Sequence, residues 1–103
     1  MITQTLEQLR KLHIAEDEHL KLRYFFYTGS LAKAANLALE LETLEYTVKY
    51  GVSEGDKNLF IVTGLTNRMQ MANDNIIKWT NKMCELGYIF ECDFDGWETY
   101  EDK

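Results

Sequence analysis

The stretch HLKLRYFFYT, residues 19–28, alternates two kinds of side chain and predicts the strand on which the rest of the fold depends. Its even positions are apolar or aromatic: Leu20, Leu22, Tyr24 and Phe26. Its odd positions mix charged and aromatic groups: Lys21, Arg23, Phe25 and Tyr27. Because successive side chains of a strand point to opposite faces, the pattern indicates one face in the core and one mixed outer face.

The segments that follow predict a helix and two further strands. Ser30 is a good N-cap for a helix from Leu31 to about Leu44. The apolar stripe of this helix has helical spacing and consists of Leu31, Ala34, Ala38, Leu41 and Leu44. EYTVKYGV, residues 45–52, predicts a second strand, and LFIVTGL, residues 59–65, a third. The third is apolar on both faces, which is typical of a central strand.

A second helix and a fourth strand complete the predicted order. Thr66 or Asn67 can cap the helix, and Gly87 stands where a glycine commonly ends one. The apolar positions between them recur every three or four residues: Met69, Ala72, Ile76, Trp79, Met83 and Leu86. YIFECDF, residues 88–94, then alternates like a strand. We expect Glu91 and Asp93 of this strand to face Lys21 and Arg23.

The order β-α-β-β-α-β predicts an α+β fold, a ferredoxin-like sandwich in which two helices cover one face of a four-stranded sheet. Apolar residues near the start also predict an amphipathic N-terminal helix over about residues 3–13. We therefore expect a single domain over 1–103. Its parts are the N-terminal helix and connection (1–18), the βαββαβ core (19–97) and an acidic tail (98–103).

Composition and charge narrow the classes of function. Apolar residues make up 46% and charged residues 27% of the 103 positions, as in ordinary soluble domains. No apolar run is long enough to span a membrane, so we expect a cytoplasmic protein. The net charge of −6 lies wholly in residues 85–103, because acidic and basic side chains balance in residues 1–84. That end disfavours contact with nucleic acid and permits a basic protein partner.

The chain offers little for catalysis. His13 and His19 lack the converging spacing of metal ligands, and Cys84 and Cys92 are better read as packing residues than as a redox pair. We expect no enzyme activity, no metal and no cofactor. Phe25 and Tyr27 could form an aromatic platform for RNA, but the acidic last strand favours instead a cover made by the N-terminal helix or by a partner protein.

The C-terminal DFDGWETYED, residues 93–102, resembles the D-G-W-x-T-Y ending of the regulator of ribonuclease E activity B family. LAKAANLALELETLEYTV, residues 31–48, is similar to the family's first helix and second strand, and the segment from Thr66 to Trp97 to its second helix and last strand. The resemblance implies a ferredoxin-like protein that binds the noncatalytic scaffold region of ribonuclease E and so alters messenger RNA decay.

These residues also define a candidate binding surface. We expect Asp95 and Gly96 to reverse or kink the chain, so that Trp97 and Tyr100 either cover an edge of the core or contact a partner. The acid that follows would stay in solvent. The candidate partner-binding residues are Asp95, Gly96, Trp97, Glu98, Tyr100, Glu101, Asp102, Phe25 and Tyr27. The alternative is a different protein partner, such as the toxin nuclease that an immunity protein would block. The sequence does not predict an oligomeric state.

Overall fold

A computed structural model of the chain describes residues 14–100. Within that range the fold is α+β, with a five-stranded antiparallel sheet and two helices. The elements in chain order are β1 (His19–Thr28), α1 (Leu31–Thr43), β2 (Lys49–Val52), β3 (Phe60–Leu65), β4 (Met69–Gln70), α2 (Asn73–Phe90) and β5 (Asp93–Tyr100). The predicted helix over 3–13 lies outside the described residues.

Strand β1 is the centre of the sheet. It pairs antiparallel with β3 along one edge and with β5 along the other, and β2 pairs antiparallel with the far edge of β3. The short β4 pairs with the start of β1 at His19 and Leu20. The predicted central position of the third strand is confirmed, since β3 lies between β1 and β2.

The alternation of β1 is confirmed by burial. Leu22, Tyr24 and Phe26 are fully buried, whereas Phe25 and Tyr27 are only half-buried on the opposite face. Both helices contribute to the same core cluster: α1 supplies Ala34, Leu37, Ala38 and Leu41, and α2 supplies Ile76, Trp79 and Met83. The predicted core position of Trp79 is confirmed, because its side chain is 6% exposed.

Helix α1 begins where the sequence predicts. The Ser30 hydroxyl accepts a hydrogen bond from the Lys33 backbone N–H at 3.4 Å, which satisfies one of the donors left open at a helix start. The predicted apolar stripe of α1 is wrong at one position, because Leu31 is exposed. Leu37, which the prediction left out, is buried in the core.

The predicted start of the second helix is wrong. Met69 belongs to β4, and α2 begins at Asn73 without a side-chain cap. Thr66 serves the sheet instead: its hydroxyl accepts from the Leu22 N–H at 2.9 Å and donates to the Asn67 carbonyl at 2.8 Å. The bond with Leu22, together with a second one from the Thr66 N–H to the Leu22 carbonyl oxygen at 2.9 Å, fastens the segment to β1.

The predicted end of the second helix is also wrong. Helix α2 continues through Tyr88 to Phe90, and the residue that caps it, Glu91, has a left-handed φ of 56°. Gly87 lies inside the helix, where a Cβ would approach the Cys92 carbonyl oxygen to 2.5 Å. The glycine is therefore required by close packing and not by a helix stop.

The last strand consequently lies further along the chain than predicted. A chain reversal at Asp95 and Gly96, one of the two predicted alternatives, is wrong, because β5 runs from Asp93 to Tyr100. A β-bulge interrupts its register between Phe25 and Phe26 of β1, and Gly96 adopts a φ of 123° there. Residues 98–100, which the sequence assigns to an acidic tail, form the end of this strand.

The shifted strand changes the predicted charge pairs. Arg23 lies opposite Glu98 in the register, not opposite Glu91 or Asp93. Asp93 lies opposite Tyr27, and Glu91 forms an ion pair with Lys33 at the start of α1. Opposite charges do meet across β1 and the last strand, but the carboxylate comes from a different part of that strand.

Candidate protein-binding surface

The outer face of β1 and β5 brings several of the predicted partner-binding residues together. Phe25 and Tyr27 of β1 lie on the face opposite the core residues of that strand. In the paired strand Gly96 lies opposite Phe25 and Glu98 opposite Arg23. Since paired residues of an antiparallel sheet share a face, these positions form one surface, which we call the β1–β5 surface.

At the end of the β1–β5 surface that contains Glu98, the negative charge is partly neutralised by Arg23. The Arg23 guanidinium lies 3.4 Å from a carboxylate oxygen of Glu98 and stands 5.3 Å from the centre of the Tyr100 ring. Both charged side chains remain partly exposed, so the ion pair adds little to stability. The Arg23 guanidinium thus contacts both Glu98 and Tyr100 on the surface.

The other end of the surface is more acidic. Burial and the nearby Asp95 carboxylate raise the pKa of the Tyr27 phenol, which stays neutral at physiological pH. Asp95 and Asp93 are exposed on β5 beside it. The pattern of an aromatic side chain next to carboxylates suits a partner that presents both apolar and cationic groups.

The outer face extends from β1 across β3 towards the edge strand β2. Two shallow grooves of about 420 Å³ and about 590 Å³ lie there. Tyr27 and Ile61 line the first, Arg23 and Phe25 line the second, and Lys49 borders both. This half of the face mixes apolar side chains with two cations, Arg23 and Lys49, and one carboxylate, Glu54, in contrast to the acidic half on β5.

Trp97 resolves the alternatives that the sequence left open for it. Its side chain is 4% exposed and its ring meets the edge of Trp79 with the two centroids 6.4 Å apart. Trp97 therefore packs in the core, and Tyr100 remains half-buried at the end of β5. Glu101 and Asp102 lie outside the described residues.

The thiols occupy different environments. Cys92 is buried, its Sγ lies 3.7 Å from the Lys33 carbonyl oxygen, and burial raises its pKa. Cys84 is exposed on α2. In residues 14–100, no three His, Cys, Asp or Glu side chains come together as a metal site.

Sequence reasoning missed a second surface, at the end of α2. Tyr88 and Ile89 were assigned to a strand but project from the last helical turn, where both are strongly exposed. A signal for the longer helix was present, since Met83, Gly87 and Phe90 continue the spacing of three and four residues.

Comparison with known families decides what kind of protein carries these surfaces. The family model described as regulator of ribonuclease activity B, RraB, matches residues 1–99. The chain belongs to the RraB family. This family is one of regulators and not of catalysts. A comparison with curated proteins finds no match.

The RraB match agrees with the resemblance carried by the C-terminal D-G-W-E-T-Y motif. Five of these six residues fall on β5 positions with a defined partner in β1: Gly96, Trp97, Glu98, Thr99 and Tyr100. Among the described residues, no helix combines the length and the apolar character needed to cross a membrane.

Proposed function

We propose that this RraB-family chain is a non-catalytic regulator that binds a ribonuclease of the ribonuclease E type and thereby changes RNA decay. The observation that carries the proposal is the family match over residues 1–99, nearly the whole chain. The strand order β2-β3-β1-β5, with helices after the first and before the last strand, supports assigning the fold to the ferredoxin-like group.

The β1–β5 surface is our candidate for the contact with the ribonuclease. Phe25 and Tyr27 would supply apolar anchors, and Tyr100 would extend them along β5. Asp95, Glu98, Glu101 and Asp102 would supply the acidic rim, whereas Gly96 and buried Trp97 would act by shaping the strand. An acidic rim attracts a basic protein and repels RNA, so the regulator would act on the enzyme and not on its substrate.

The scaffold region of ribonuclease E is the partner that the family resemblance implies. The test is a binding measurement between the purified chain and two forms of ribonuclease E, one complete and one lacking the noncatalytic scaffold. We expect saturable binding to the complete enzyme and loss of binding without the scaffold. Absence of binding to the complete enzyme would contradict the proposed partner.

A matched pair of variants tests the surface. Phe25→Ser with Tyr27→Ser should weaken binding at least about tenfold, because two buried aromatic anchors together contribute more than about 2 kcal/mol. Leu39→Ser is the control, since Leu39 is a large, exposed apolar residue on α1 and outside the β1–β5 surface. Equal affinities for both variants would show that the ribonuclease binds elsewhere.

A second candidate function is that of an immunity protein that blocks a toxin nuclease. The observation favouring it is the concentration of the whole net charge of −6 in residues 85–103, since acidic surfaces can cover basic active sites. Three observations together would favour this alternative. The gene directly upstream would encode a toxin nuclease, the chain would inhibit that nuclease, and the chain would not bind ribonuclease E.

A further inference from the structure

Two large apolar side chains project into solvent at the end of α2. Tyr88 is 87% exposed and Ile89 is 59% exposed. They border a cleft of about 780 Å³ between the last turns of α2 and the first residues of β5. The cleft also contains Cys84, Gly87 and Phe94. We call this cleft and its apolar border the α2–β5 groove.

The backbone holds the α2–β5 groove in a fixed shape. The Cys92 N–H donates to the Gly87 carbonyl oxygen at 2.8 Å, and Glu91 takes the left-handed conformation that ends the helix. Gly87 is packed against the Cys92 carbonyl and the Phe26 ring. Tyr88 and Ile89 are therefore displayed from a rigid turn, which lowers the entropy lost when a partner covers them.

The charged side chains that line the groove, Lys33, Glu91 and Asp93, sum to one negative charge. The last turn of α2 contains no basic residue, although the negative end of a helix dipole favours a cation there. Asp93 lies in the groove and Glu85 is exposed in the preceding turn; neither has an ion-pair partner within residues 14–100. Lys33, a cation that lines the groove, forms an ion pair with Glu91 and lowers the pKa of that carboxyl by hydrogen bonding and charge.

We infer that the α2–β5 groove binds a basic segment of a partner protein that carries at least one apolar side chain. An arginine or lysine of that segment approaches the carbonyl end of α2, Glu85 and Asp93, and its cation lies on the Tyr88 ring. The apolar side chain covers Ile89 and Phe94.

The inference deepens the proposed function by assigning a second part of its contact surface, and it rests on that function only for the identity of the partner. Asp93 connects the two surfaces, because it lines the groove and lies opposite Tyr27 in the sheet. A basic partner segment can therefore extend from the α2–β5 groove onto the acidic end of the β1–β5 surface.

Cys84 provides a reporter inside the groove. It is exposed there, whereas the chain's other thiol, Cys92, is buried and has a raised pKa, so maleimide at neutral pH modifies Cys84 first. The probe is a synthetic peptide of repeated Arg-Leu-Ser units. Two control peptides keep its length, one with serine in place of leucine and one with glutamate in place of arginine.

We expect maleimide to modify Cys84 more slowly when the Arg-Leu-Ser peptide is present, and the protection to saturate as the concentration of the peptide rises. Neither control peptide should protect Cys84. Tyr88→Ser with Ile89→Ser should weaken this protection at least about tenfold, the loss typical of one anchor side chain. Ile77→Ser is the matched control, because Ile77 is an exposed apolar residue in an earlier turn of the same helix. Thermal melting confirms that each variant is folded.

Three outcomes would overturn the inference. Protection equal for all three peptides, or unaffected by the paired Tyr88 and Ile89 substitutions, would show that no such groove site exists. Protection that rises with the concentration of the chain alone would show that a second copy covers the groove.

Repeating the protection measurement with complete ribonuclease E separates this inference from the proposed function. Binding of the enzyme without protection of Cys84 would retain the regulator function and overturn the groove. Protection by the peptide without any binding of the enzyme would retain the groove and contradict the proposed partner.

Discussion

At the scale of single residues, Gly96 fixes the register of the last strand. Its φ of 123° lies in a region that side-chain-bearing residues rarely adopt, and the bulge beside it lets β5 continue along β1. We expect Gly96→Ala to lower the free energy of unfolding by about 1–3 kcal/mol, measured by urea denaturation.

The control for Gly96 is another glycine of the same sheet. Gly51 in β2 has open space where a Cβ would stand. Gly51→Ala should leave stability within about 0.5 kcal/mol of the parent. Equal losses from the two substitutions would contradict the special role of Gly96.

The buried phenol of Tyr24 makes stability depend on pH. Its hydroxyl donates to the Thr47 carbonyl oxygen at 2.6 Å, and burial, followed by the charges of Tyr46 and Glu42, raises its pKa above the ordinary value of 10.0. The folded state therefore keeps this proton when the unfolded chain has lost it. Stability from Tyr24 is fully present below about pH 10 and falls as the pH rises further.

Tyr24→Phe tests that dependence. We expect the variant to lose about 0.5–1.5 kcal/mol at pH 7, because one hydrogen bond is removed. It should also lose less stability than the parent between pH 9 and 11, measured by urea denaturation at each pH (a window chosen around the ordinary tyrosine pKa). An unchanged alkaline slope would show that Tyr24 does not control it.

At the scale of elements, α2 is held to the sheet by its aromatic core residue. Trp79 meets the edges of Phe94 and Trp97 at centroid distances of 6.1 Å and 6.4 Å. Trp79→Ala should lower the free energy of unfolding by about 3–5 kcal/mol. Ile77→Ala, on the exposed side of the same helix, should change it by less than about 0.5 kcal/mol in chemical denaturation.

A loss within experimental error for Trp79→Ala would contradict the packing of α2 against β5. A large loss for both variants would instead mean that the helix buries more of its surface than residues 14–100 show.

The elements that the sequence predicts well are those whose periodicity coincides with burial. β1 alternates and is buried on alternate residues, and Ser30 caps α1 by a local bond. The boundary between α2 and β5 depends instead on contacts distant in sequence. At Gly87 a Cβ would come within 2.5 Å of the Cys92 carbonyl oxygen and 3.3 Å of the Phe26 ring, and the sequence alone does not distinguish that close packing from a helix stop.

The same limit applies to the candidate surface. Phe25 and Tyr27 could be predicted as a pair on the outer face, because strand alternation alone separates them from Tyr24 and Phe26. The partner of Arg23 could not be predicted, because β5 lies further along the chain than expected. Glu98 therefore stands opposite Arg23, and Asp93 does not. The exposure of Tyr88 was missed because Gly87 also fits a helix stop, although the spacing of Met83, Gly87 and Phe90 indicated a longer helix.

At the scale of the whole molecule, the uneven charge should govern the rate of association with a basic partner. Glu98 is partly neutralised by Arg23, and two further candidates, Glu101 and Asp102, follow it in sequence. Replacing these three carboxylates by amides should slow association with ribonuclease E at low salt. The difference should shrink above about 0.15 M salt, where the Debye length is about 8 Å.

The control for this charge experiment lies in the balanced part of the chain. Three glutamates lie at and just after the end of α1: Glu40, Glu42 and Glu45. Replacing them by glutamine removes the same amount of negative charge. Their variant should associate at a rate closer to that of the parent in stopped-flow measurements. Equal slowing by both sets would show that net charge alone, and not its position, steers the encounter.

The central claim is that the chain acts on a ribonuclease by stoichiometric binding and has no turnover of its own. Its most direct test is the cleavage rate of a fixed amount of ribonuclease E, measured on a defined RNA while the concentration of the chain is raised through that of the enzyme. The account predicts a change in rate that levels off near equal concentrations when binding is tight, and no RNA cleavage by the chain alone. An unchanged rate at a large excess of the chain, or cleavage by the chain alone, would contradict it.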